Sequence, residues 1–216
     1  MYQILENYTV FFTLLTSTVF WYLAVRLAKK EDENYELKKN EMMISLGISI
    51  ISSLCINLIN RDVVFISLFF MTGIISVLSV SLIIDFKLKE LPDYLTLLSV
   101  FLSGMYLFVI SLGVPSATIG QYLFTVFGIV GVSVFITFLI CYFFGGIGFG
   151  DVKLLIPVLL FIPPKYIMSY WVNTIILACL YSLFLYIKTK DKKLTIPFGP
   201  FIIFGLLSVF MHVIWF

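Results

Sequence analysis

YLTLLSVFLSGMYLFVISLGVPSATIGQYLFTVFGIVGVSVFITFLICYFFGGIGFG, residues 94 to 150, contains no charged side chain. A soluble domain carries roughly 25% charged residues and would interrupt such a run several times. A helix that crosses a bilayer needs about 20 apolar residues, and this stretch holds enough for two. Outward from it the pattern repeats: the chain is 61% hydrophobic and 12% charged. Strands cannot leave unpaired edges in lipid, and the alternation of a barrel strand is missing, so the segments must be helices. The expected fold is an all-α polytopic membrane protein, residues 1–216 forming a single integral membrane domain. About eight transmembrane helices are expected, near 8–28, 43–60, 63–84, 94–114, 122–144, 152–164, 166–187 and 197–216.

Charge gives the orientation. With both termini outside, Arg26, Lys29, Lys30, Lys38, Lys39, Lys87, Lys89, Lys153, Lys188, Lys190, Lys192 and Lys193 fall inside, and only Arg61 and Lys165 outside. The sixth segment is short for a crossing, and a re-entrant helix there would carry the cluster from Lys188 to Lys193 outside. It is therefore read as a short crossing. Met1 to Asn7 lacks the basic start of a cleavable signal peptide, so the first span is expected to be retained. The longest hydrophilic piece, Lys29 to Glu41, balances acids against bases and reads as a solvated loop.

Several function classes lose support here. A net charge of +2 does not point to nucleic acid. Cys55, Cys141 and Cys179 lie in apolar stretches without a CxxC pair and read as packing residues. His212 has no ligand spacing. No metal and no cofactor is expected.

Two acids stand out. Asp85 follows the apolar run from Val63 to Ile84, and Asp151 follows the charge-free run ending in Gly145, Gly146, Gly148 and Gly150. Both fall at cytoplasmic ends of their spans and could meet at one depth. An ionisable group at a membrane edge is costly and hints at function. Asp151 could equally be an N-cap, Asp85 the first solvated residue after a span, and the glycines small packing residues. As a pair, two aspartates sharing one proton activate a water for attack on a peptide carbonyl. A helix N-terminus favours an anion at Asp151 and a helix C-terminus a protonated Asp85. Gly148 and Gly150 would let a substrate backbone approach Asp151.

At these residues the chain resembles the type IV prepilin peptidases, aspartic proteases of the GxGD class. Three stretches within residues 80–205 carry the resemblance: Ile84-Asp85 through Pro92-Asp93-Tyr94-Leu95-Thr96; Gly148-Phe149-Gly150-Asp151-Val152-Lys153-Leu154; and Ile196-Pro197-Phe198-Gly199-Pro200. The resemblance implies that Asp85 and Asp151 are the catalytic pair, with Gly148, Gly150 and Lys153 in support. Pro92 and Asp93 are expected to shape the start of the fourth span, Asp93 as its cap. It also implies a prepilin-like protein as substrate, cut after a glycine at the cytoplasmic face of the cell membrane, just before its hydrophobic helix. Longer members carry two CxxC pairs between their first two spans; here that loop has no cysteine, and Trp21 stands where those members have an asparagine. The methyl transfer of the longer enzymes is therefore not expected. A proton- or cation-coupled transporter using the same two carboxylates is the main rival reading, and an inactive membrane scaffold the second.

Overall fold

The computed structural model describes residues 2–59, 65–144, 148–190 and 197–213, with side chains omitted for residues 2–8, 59, 141, 143–144, 149 and 210–213. The readings that concern Arg61, Cys141, Gly145, Gly146, Lys192, Lys193, Ile196 and the His212 side chain lie outside what is described. The described backbone holds eight α-helices and no strand: α1 (Tyr2–Glu31), α2 (Lys39–Ile59), α3 (Phe65–Leu88), α4 (Asp93–Leu112), α5 (Ser116–Phe144), α6 (Phe149–Phe161), α7 (Ile167–Thr189) and α8 (Gly199–Val213). Six of them are long and apolar enough to cross a membrane; α6 and the apolar part of α8 are shorter.

Helix α3 is the centre of the bundle and is mostly buried, whereas α5 and α7 are mostly exposed. Exposed Phe124, Phe127, Phe135, Leu180, Leu183 and Phe184 suit a lipid surrounding. Lipid gives apolar helices little reason to prefer one another, so polar pairs and small residues set the contacts between α1, α2 and α3. Ser49 Oγ lies 2.8 Å from both Ser17 Oγ and Ser76 Oγ. Thr16 and Thr72 meet at 3.0 Å, and Trp21 Nε1 donates to Ser45 Oγ at 2.9 Å. Phe20 lies over Gly73, where a side chain would collide with its ring.

The pairings establish direction. Lys153 meets Asp93 at one end of the α4–α6 pair and Tyr106 stacks on Phe161 towards the other, so these helices run parallel. Tyr181 packs on Phe201, and Asn173 donates to Ser208, so α7 and α8 run antiparallel. Helix α6 therefore runs from the end of the bundle that holds Asp151 towards the opposite end, and its 13 residues stop beside Tyr106, before α4 does. Its shortness has a physical reason: Val152, Leu154, Leu155, Val158, Leu159 and Phe161 are buried, so protein rather than lipid surrounds it.

At the Asp151 end, α3 and α7 stop on lysines in the left-handed conformation, Lys89 (φ 57) and Lys190 (φ 54). The Lys89 N–H closes α3 by donating to Asp85 O at 2.9 Å, and that of Lys190 closes α7 on Tyr186 O at 2.8 Å. The conformation costs about 1–2 kcal/mol, partly offset by placing cations at helix C-termini. The stretch from Lys29 to Glu41 departs from a plain solvated loop. Helix α1 continues to Glu31, Asp32 caps a short 3-10 turn over Glu33–Tyr35, and Leu37 is buried.

Candidate active site

Three helix ends converge on one point. Helix α3 delivers Asp85 one turn before its C-terminus, α6 delivers Asp151 in its first turn, and α8 opens at Gly199. Asp85 is 3% exposed and Asp151 7%, which excludes the reading of Asp85 as the first solvated residue after a span. A methyl group built on Gly199 would stand 2.5 Å from Asp85 Oδ2 and 3.2 Å from Asp151 Oδ1. The two carboxylates thus face each other across the α-carbon of a glycine. Any side chain there would occupy the space they share.

Their hydrogen bonding differs. Asp151 Oδ2 accepts from the Gly148 N–H at 3.2 Å, and the Asp151 N–H donates back to Gly148 O at 3.1 Å, a reciprocal closure of the helix start. The backbone N–H groups of Phe198 and Gly199 also lie close to Asp151, and that of Gly199 close to Asp85. Among the described residues, Asp85 Oδ2 has no hydrogen-bond partner. Backbone N–H groups at the starts of α6 and α8 are thus directed at Asp151, and one of them, that of Gly199, at Asp85 as well. Asp151 is not the N-cap of α6, which is Gly148; it stands at the third helical position, closes the helix start from there, and faces Asp85 as well.

The supporting residues fall close by. A side chain at Gly148 would press on Asp151 Oδ2 at 3.3 Å, and one at Gly150 would meet Leu91 at 3.5 Å. Lys153 Nζ pairs with Asp93 Oδ1 at 2.7 Å, tying the first turn of α6 to that of α4. Pro92 occupies the N-cap position of α4 and contributes no side-chain cap. Asp93 does not cap the helix either; its carboxylate is turned to Lys153. The cap comes from α1, where Glu31 Oε1 accepts from the Asp93 N–H at 2.7 Å and Oε2 from the Tyr94 N–H at 2.8 Å. Sequence reasoning assigned no role to Gly199 or Glu31. Gly199 had a signal, a glycine followed by proline at the start of a helix; Glu31 had none. Among the described residues no group of three or more His, Cys, Asp or Glu side chains could hold a metal ion.

Comparison with known proteins supplies the class: a peptidase. A model described as the type IV leader peptidase family matches residues 72–187, more than half of the chain, and the chain belongs to that family. The match runs from the middle of α3 to the end of α7 and contains both aspartates. No curated protein and no solved structure matches the chain. The protein is thus a multi-pass membrane protein of a leader peptidase family.

Proposed function

We propose that this protein is a membrane-embedded aspartic endopeptidase that removes the leader of type IV prepilin-like precursors, with Asp85 and Asp151 as its catalytic pair. The observation that carries the reading is the approach of both carboxylates to Gly199. The lysines gathered at this end of the bundle favour the cytoplasmic face of the cell membrane as its location. The pair holds one proton between its members. Asp151, which accepts the Gly148 N–H, carries the charge, and Asp85, whose Oδ2 accepts no hydrogen bond from a described residue, carries the proton. A water seated between them loses a proton to Asp151 as its oxygen bonds to the scissile carbonyl carbon. The Asp85 proton passes to the carbonyl oxygen. On collapse one hydroxyl proton of the tetrahedral diol returns to Asp85, the C–N bond breaks, and Asp151 gives its proton to the departing amine.

Co-expression with a tagged prepilin-type precursor tests this. The wild-type chain is expected to shorten the precursor. Asp85→Asn and Asp151→Asn are each expected to abolish cleavage while membrane abundance stays close to wild type. Full cleavage by either purified variant would remove the aspartic mechanism.

A further inference from the structure

Glu31 stands where its charge is of no use to its own helix. It closes α1, and an anion at a helix C-terminus is unfavourable. Its two oxygens instead accept the first two N–H groups of α4, 2.7 and 2.8 Å away. Those N–H groups have no other cap, because the N-cap residue is Pro92. A carboxylate that accepts two backbone donors at a helix N-terminus makes charge-assisted bonds, stronger than neutral ones. The start of α4 and the residue before its N-cap are in turn coupled to the start of α6 at two places: Leu91 fills the space beside Gly150, and Asp93 holds Lys153. Between those two contacts lies Asp151. On the other carboxylate, Lys87, two residues beyond Asp85, donates to Glu36 O at 2.9 Å and to Glu41 Oε2 at 3.2 Å. Residues 31–41 thus hold the Asp85-bearing helix directly, through Lys87, and reach the Asp151-bearing helix through α4, although they lie outside the residues that match the family.

We propose that Glu31 is a positioning residue for the dyad: by capping α4 from α1 it fixes the first turn of α6 and with it the Asp151 carboxylate. The proposal rests on the catalytic reading of Asp85 and Asp151. Glu31→Gln keeps the shape but loses the charge and one acceptor oxygen. In the full chain, purified in detergent and given a tagged prepilin-type precursor, it is expected to lower kcat about tenfold and leave KM unchanged. Lys153→Gln removes the next link, and the double variant is expected to be no slower than the slower single variant. Hydrogen exchange of the Asp93 and Tyr94 amides in Glu31→Gln is expected to quicken about tenfold, whatever the activity. Unchanged exchange, a rise in KM alone, or losses that multiply in the double variant would each overturn the proposal. A wild-type chain that leaves the precursor intact would instead count against the peptidase reading, with the exchange result still deciding whether Glu31 holds α4.

Discussion

Between Asp85 and Asp151 stands a glycine, and the approach of the two carboxylates depends on what a glycine lacks. Gly199→Ala would place a methyl group 2.5 Å from Asp85 Oδ2, closer than side-chain carbons approach oxygen. Either α8 retreats or the carboxylates part, and a displacement of about 1 Å in a catalytic site costs on the order of a hundredfold in rate. Gly199→Ala is therefore expected to cut a prepilin-type precursor at least about a hundredfold more slowly, at near-normal membrane abundance. A variant that cuts at the wild-type rate would show that α8 does not close on the pair. The positions of the two aspartates were legible from local rules, because each ends or follows an apolar run where charge is costly. Their shared neighbour was not. Gly199 and Glu31 act through packing between helices far apart in the chain, and no periodicity or spacing records that packing.

At the level of helices, each of the eight apolar runs holds a helix among the described residues, six of them long enough to cross a membrane, because a backbone in lipid must satisfy its own hydrogen bonds. Their ends moved for reasons hydropathy does not register. Helix α5 starts at Ser116 rather than near 122, since Pro115 accepts the Thr118 and Ile119 N–H groups and sets the first turn. Helix α1 runs on to Glu31 because that residue has a partner in α4. Helix α6 inverts the usual relation between apolarity and lipid: it is short, contains Pro157, and is enclosed by its neighbours. Leu155→Ala, at a fully buried position, should cost about 2–5 kcal/mol. Phe135→Ala on the exposed face of α5 should change stability by no more than about 0.5 kcal/mol. Thermal unfolding of the two variants in one detergent checks the contrast, and equal losses would contradict the enclosure of α6.

For the molecule as a whole, alternation of the helices gathers the ends of α1, α3 and α7 and the starts of α2, α4, α6 and α8 on one side. A cysteine at Lys190, with the native cysteines replaced, is expected to react with an impermeant thiol reagent only from the cytoplasmic side. One at Ser116 is expected to react only from outside. The opposite labelling would invert the orientation and move the dyad to the outer face. The order in which these parts leave the ribosome adds a constraint. Helices α1, α2 and α3, joined by their serine and threonine pairs, are synthesised first, and Asp151 follows much later. A chain that ends between Asp151 and Gly199 contains both carboxylates, yet lacks the helix end that they share. The meeting of Asp85 and Asp151 is therefore completed only when α8, the last helix described, is in place.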